Sequence, residues 1–501
     1  MKAKMKKFPS KIAQKILKQY KPIWAQKYLI GLADWDLNTY MPEGGAKARG
    51  EAVGQAESII QQKYLQPELQ KDLDRLQNLE NKTIYEKALV RVMKREIEHY
   101  KKLPPEFVAE FNRTASEGQI AWRNAKKNSD FSIFRDHLAK LIKLTLEKAE
   151  YLGYKNHPYD PLIDEFEEGW TVKDLDKYFE SIRTPLKELI KTITSKKDYK
   201  PEHKLEKAKY DLEKMKRLNH KILEFLKFNK NYSRLDTAPH PFTSEMTTTD
   251  TRITTRYSEA DFRAPWTATV HEFGHMIYEV QGDPELEYTP LGEGTTLGVH
   301  ESQSRFYENF IGRSKPLIEK FLPDIQKLGK QLQNATTDDV FDYFNMVRPS
   351  LIRVEADEVT YHMHILIRYD LEKALLERKL KVDDLPEAWN SKYEESLGIT
   401  PPNDARGVLQ DIHWSMGVFG YFPTYSIGTT LSAQWKHFLE KDIGSINDLV
   451  SNNGISQIHD WLKKNVHIHG KTYDLNNLVK FSTGSDFSSK FLLNYLQKKY
   501  A

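Results

Sequence analysis

The sequence predicts a mainly α protein, a predominantly helical body with a small β-sheet beside one helix, the one that carries HEFGH at 271–275. Three observations predict it. Apolar residues recur at threes and fours from the N-terminus to about residue 230, a Thr-rich stretch between about 231 and 266 alternates as a strand does, and helical spacing returns from about 335 onward.

Taken in order, the basic stretch MKAKMKKFPSKIAQKILKQYKPIW lacks an apolar run long enough for a signal-peptide core. It reads as a solvated first helix with Ile12, Ile16 and Leu17 turned inward. PELQKDLDRLQNLE, FRDHLAKLIKLTLEKAEYLGY and LKELIKTITSKK follow as stacked helices, interrupted by turn chemistry at MPEGGAKARGE and NHPYDPL. HPFTSEMTTTDTRITTRYS is rich in Thr and β-branched residues, so a short strand and a small sheet precede the next helix, DFRAPWTATVHEFGHMIYEVQG. A Gly-rich turn, PLGEGTTLGVH, leads into the helical run ESQSRFYENFIGR, and later helices are broken at GITPPNDARG and GYFPTYSIG. A length of 501 residues allows two or more domains, yet no linker is long enough to separate them.

Composition excludes several function classes. Lys and Arg total 75 against 71 Asp and Glu, a net charge of +4 that gives no reason to expect a nucleic-acid partner. There is no cysteine, so disulfides, thiolate metal sites and cysteine nucleophiles are excluded and any metal must be held by His and carboxylate. Nothing in the sequence approaches a membrane span, and a cytoplasmic location is the default expectation.

HEFGH is the strongest chemical signal. Positions i and i+4 share a helix face, so His271 and His275 can reach one ion, with Glu272 beside its open side. A hydrolytic zinc site takes three protein ligands and keeps a fourth position open, so a second segment must face the first. HESQSRFYEN supplies it, with Glu301 as the expected third ligand and His300, Glu279 and Glu308 as competitors. His300 would point about 100° away from Glu301 on the same helix. His362 and His364, two apart, do not share a face and read as packing residues.

HEFGH, HESQ at 300–303, HPF at 240–242, DTRIT at 250–254, IRVEAD at 352–357 and GVLQDIHW at 407–414 resemble, in order, the motif set of the M32 metallocarboxypeptidases. WDLNTYMPEGGAKARGE resembles that family's start, so the resemblance covers nearly the whole chain, and 1–501 reads as a single domain of this type. It implies a helical zincin fold cut by a deep active-site groove, like those of neurolysin and the angiotensin-converting enzymes. It also implies a cytosolic homodimer that removes C-terminal amino acids with broad specificity. His271, His275 and Glu301 would be the metal ligands and Glu272 the catalytic carboxylate; the ion would be Zn²⁺, with Co²⁺ a possible substitute.

The remaining roles follow from residue chemistry. His413, Tyr421 and Tyr425 are candidate donors to the oxyanion, placed much as in the related converting enzymes, with the choice between the tyrosines open. An exopeptidase must hold a free carboxylate, which a planar guanidinium does with two parallel hydrogen bonds. Arg353 is the leading candidate, on a helix with Asp357 able to orient it, and Arg252 is the runner-up, although Asp250 could claim it in an ion pair. His240 before Pro241 would border the cleft where substrate lies along a strand edge. Rival readings are an oligopeptidase or dipeptidyl carboxypeptidase, and a non-catalytic peptide-binding protein on the same fold; the intact Glu272 speaks against the last.

Overall fold

In a computed structural model, residues 7–206 and 208–501 are described, so the first six residues of the basic N-terminal stretch lie outside them. The chain divides into two compact units. The first comprises the N-terminal part up to Lys101, His203–Phe344 and Trp435–Phe487; the second comprises Lys102–Glu202, Asn345–Gln434 and Ser488–Ala501.

The first unit opens with the helix Lys11–Leu37, capped by Ser10, whose side chain accepts from the Ala13 N–H. Ile16 is fully buried and Ile12 and Leu17 pack against the same core, as the periodicity predicts. Only the MPEGG half of the expected turn is irregular, because AKARGE already begins the helix Ala46–Tyr64. The sheet has three strands in the order β1-β3-β2: β1 (Ser233–Thr237), β2 (Thr243–Thr247) and β3 (Asp250–Thr255). β1 runs parallel to β3, with Leu235 opposite Ile253. β2 runs antiparallel to it, with Thr243 opposite Ile253 and a bulge between Glu245 and Thr247. β2 is therefore an edge strand, and it packs on the HEFGH helix, Arg263–Val280.

That helix buries Trp266, Val270, Phe273 and Ile277, an i, i+4, i+7, i+11 stripe, which turns His271 and His275 to its half-buried flank. Its first turn is pinned where Asn219 donates to the Pro265 carbonyl at 3.0 Å and to Thr269 Oγ1 at 2.8 Å. The second unit holds the helices Val172–Thr194, Tyr361–Leu376 and the start of Phe422–Ile443. Two expectations change here. GYFPTYSIG does not break a helix but starts one, because Pro423 lies in the first turn, where its missing N–H has no intrahelical partner to lose. Arg353 sits not on a helix but on a single 3₁₀ turn, Arg353–Glu355.

Among the described residues no helix is long and apolar enough to cross a membrane.

Candidate metal centre

Two helices build the centre. The second, Leu297–Phe306, is capped by Thr296, whose hydroxyl accepts from the Val299 N–H, and it lies against the HEFGH helix at Gly274. A Cβ on Gly274 would stand 2.5 Å from the Gln303 carbonyl oxygen and 2.6 Å from the Ser304 Cα. Glycine at that position thus lets Glu301 reach the two histidines. Gly274→Ala is expected to cost about 1 to 3 kcal/mol of stability by overpacking and to weaken metal binding as well. Thermal melts with and without added zinc would check both, and an alanine variant with parent stability and affinity would refute the close-approach argument.

Glu301 Oε2 stands 3.6 Å from His271 Nε2 and 3.5 Å from His275 Nε2. Two ligand bonds of the usual zinc length at a tetrahedral angle separate donor atoms by roughly 3.4 Å, so the spacing fits one ion. The far nitrogens are occupied, with His271 Nδ1 2.9 Å from Glu308 Oε2 and His275 Nδ1 2.7 Å from His300 Nδ1. His300 Nε2 in turn meets Glu279 Oε1 at 2.9 Å and Glu245 Oε1 at 3.1 Å. These contacts fix both rings with Nε2 toward Glu301. His300, Glu279 and Glu308, the competitors for third ligand, thus lie around the group of three, and Glu245, Glu279 and His300 form a second cluster of metal-ligating atoms within 4.8 Å of one another.

Charge converges on the same point. Burial works against the ionised carboxyl of Glu301, but Arg305, whose Nε donates to Oε1 at 2.7 Å, and the two histidines hold it well below the usual range. Glu308 is likewise held low against burial by Arg305 and by Arg313, whose guanidinium donates to Oε1 at 2.5 Å. Burial also opposes charge on His300, yet without an ion Glu245 and Glu279 push it up to about 10, whereas burial lowers His275; an ion on His275 Nε2 would require a neutral His300 whose Nδ1 accepts from His275 Nδ1–H. Glu272 is buried, and its Oε2 accepts from the Thr243 hydroxyl at 2.6 Å, so edge strand β2 aims this carboxylate.

The other candidates fall elsewhere. Arg252 donates from Nε and Nη2 to both oxygens of Asp250 at 2.8 and 3.0 Å and lies over the Trp35 ring, the ion pair foreseen for it. His240 is exposed, three residues before β2 begins at Thr243. In the second unit Arg353 is buried, with Nε 2.9 Å from Asp411 Oδ1 and its guanidinium 4.9 Å over the Tyr425 ring. Asp357 does not orient it; its oxygens accept from the backbone N–H groups of Arg348, Val359 and Thr360. His413 lies 5.3 Å, ring to ring, from Tyr421, and its Nε2 is 3.5 Å from the Tyr425 hydroxyl. Burial first, and Arg353 second, lower its pKa to about 3, so the imidazole is neutral. Its Nδ1 is buried without a hydrogen-bond partner among the described residues, which favours the proton on Nε2. His362 and His364 are fully buried, bonded to Ser426 and Tyr393.

A sequence profile of the carboxypeptidase Taq (M32) metallopeptidases matches residues 15–500. The chain belongs to the M32 family. It is a metal-dependent carboxypeptidase. Among M32 relatives, thermostable carboxypeptidase 1 of Pyrococcus furiosus is 42% identical over 494 residues, covering 98% of this chain and 99% of that protein. Carboxypeptidase 1 of Bacillus subtilis is 39% identical over 477 residues, 94% of each chain. A solved structure of the Pyrococcus furiosus carboxypeptidase, in a form described as apo-Mg, superposes with a TM-score of 0.97 over 99% of this chain and 100% of that one, at 42% identity. Metallocarboxypeptidase 1 of Trypanosoma cruzi, at 29% identity, gives a TM-score of 0.90 over 97% of this chain and 99% of that one.

Proposed function

We propose that this M32 enzyme removes single amino acids from the free C-terminus of peptides, with broad specificity, using a zinc ion held by His271, His275 and Glu301. The observation that carries the reading is the approach of Glu301 Oε2 to both Nε2 atoms at zinc-like spacing, with the ligand atoms of the three residues within 4.8 Å of one another and both Nδ1 atoms already engaged. Bound zinc would supply Lewis acidity toward the scissile carbonyl and lower the pKa of water at the site; cobalt suits the same donors. Glu272, steadied by Thr243, takes the proton of the attacking water and passes it to the leaving nitrogen. His413 stabilises the oxyanion as a neutral donor from Nε2, with the hydroxyl of Tyr421 or Tyr425 as a second donor. His240, exposed ahead of edge strand β2, borders the path along which peptide backbone pairs with that strand.

Arg353 receives the substrate carboxylate. Asp411 engages its Nε and the Tyr361 hydroxyl accepts from Nη1 at the long distance of 3.5 Å, so among the described residues no carboxylate takes the terminal N–H groups, whereas Asp250 takes both Nε and Nη2 of Arg252. Arg353→Ala is expected to cost about 2 to 5 kcal/mol in kcat/KM on free-acid peptides and little on C-terminally amidated ones. Arg353→Lys should be intermediate, since it keeps charge without the fork. Equal losses on both substrate types would make Arg353 a structural residue and return Arg252 to consideration. Product masses from the zinc-loaded parent test the function as a whole: residues lost one at a time support it. Losses two at a time or internal cuts favour the oligopeptidase readings, and no cleavage favours the binding protein.

The working unit is a homodimer in the cytoplasm. Leu29 (55% exposed), Leu37, Tyr40 (60% exposed) and Ile59 present apolar surface on and beside the helices Lys11–Leu37 and Ala46–Tyr64, a face suited to a second copy. Sedimentation should give twice the 58.6 kDa chain mass, reduced to one chain in Leu29→Lys/Ile59→Lys. A parent that sediments as a single chain would rule the dimer out, and recovery of the enzyme in a secreted fraction would rule out the location.

A further inference from the structure

We propose that Glu372 is a positioning residue for the reaction: a fully buried carboxylate that ties together both ends of the loop between His413 and Tyr421 and so sets the distance between the oxyanion donors. The inference rests on the donor roles given above to His413, Tyr421 and Tyr425. Glu372 projects from the helix Tyr361–Leu376 and is 0% exposed. Its Oε1 accepts from the Trp414 indole N–H at 2.7 Å, and its Oε2 accepts from the Gly420 backbone N–H at 3.0 Å and from the Tyr159 hydroxyl. Trp414 directly follows His413 and Gly420 directly precedes Tyr421, so one side chain holds the neighbours of both groups.

Within the loop the Gly417 N–H donates to the Trp414 carbonyl at 3.1 Å and the Val418 N–H to the His413 carbonyl at 3.0 Å, but neither of these bonds reaches Gly420 or Tyr421. Between the two anchors the loop turns through Gly417 and Gly420, both at positive φ, and a Cβ on Gly420 would stand 2.5 Å from the Leu162 carbonyl oxygen. The chain passes close under Leu162 there, and the Gly420 N–H points at Glu372. A buried carboxylate accepts all three donors at once, whereas an amide in its place turns a donor toward one of them. Burial raises the Glu372 carboxyl to about 7, against the lowering effect of its three donors and Arg368. Its folded pKa lies above the ordinary carboxylate value, so its charge subtracts stability as pH rises past that value and on through 7.

The test is Glu372→Gln in the zinc-loaded enzyme. Its amide would oppose the Trp414 N–H, rotate the His413 end of the loop, and lower kcat about 10- to 100-fold, the usual result of ångström-scale misplacement, with KM within about threefold and zinc content unchanged. Adding Trp414→Phe, which removes the opposing N–H, should restore part of the lost kcat. Should the glutamine variant fail to fold, Trp414→Phe alone, which releases one anchor, is expected to lower kcat about two- to tenfold with KM unchanged, and parent kcat in that variant would then overturn the proposal. Parent kcat in Glu372→Gln, or a loss that Trp414→Phe deepens additively, would overturn the proposal. His413→Ala and the Tyr421→Phe and Tyr425→Phe variants separate the two layers. If all three keep the parent kcat, the donor assignment has failed and the positioning role falls with it. If His413→Ala is impaired while Glu372→Gln is not, only the positioning role fails.

Discussion

Glu272→Gln should keep its metal and lose about 10² to 10⁴ in kcat, the usual cost of deleting a general acid/base. Glutamine matches glutamate in size and can still accept the Thr243 hydroxyl through its carbonyl oxygen, so the local structure is preserved while the proton acceptor is gone. The three proposed ligands are untouched, and metal analysis should find one ion per chain in both proteins. Thr243→Val offers a graded companion. It leaves the carboxylate but removes the hydroxyl that fixes Oε2, so a smaller loss confined to kcat is expected. A glutamine variant that bound zinc normally and hydrolysed peptide at the parent rate would remove Glu272 from the chemistry.

The two ends of the centre were unequally legible in the sequence. His271 and His275 announce themselves because an i, i+4 pair shares a helix face, and Glu301 follows because the segment after a Gly-rich turn must pack back on that helix. The supports were harder to read. Glu308, seven positions past Glu301, falls on nearly the same face of an ideal helix, a signal that could have marked it as a support. Beyond Phe306, however, the chain winds as a π-helix over Tyr307–Gly312, and that change of pitch has no local marker. Thr243 reaches Glu272 only because β2 lies at the sheet edge, which is a matter of strand order. The ion pair of Arg353 with Asp411 spans 58 positions, so nearness in sequence favoured Asp357, which the backbone of the next helix claims instead. Local periodicity shows which residues share a face; tertiary contacts decide which faces meet.

Glu301→Gln is expected to abolish activity by releasing the metal, and it separates a ligand from its supports. Glutamine keeps the volume and one oxygen, but it withdraws the negative charge that Arg305 and the two histidines surround. Loss of a hydrogen bond around a metal ligand typically costs 10- to 100-fold in affinity, and that is the expectation for Glu308→Gln, which frees His271 Nδ1, and for Glu279→Gln, which acts on His275 only through His300. Glu301→Gln should exceed that range, because one of the three proposed protein donors has been exchanged for a weak neutral one. Competition against a chromophoric chelator ranks the three variants, and thermal melts give an independent reading. Zinc that binds only the folded chain raises the melting temperature of the parent and both support variants but should leave Glu301→Gln nearly unmoved. If Glu301→Gln held zinc at the parent affinity while the Glu279 or Glu308 variant lost it, the third ligand would be that residue, and the 3.5 and 3.6 Å approaches of Glu301 to the histidines would be ion pairs alone.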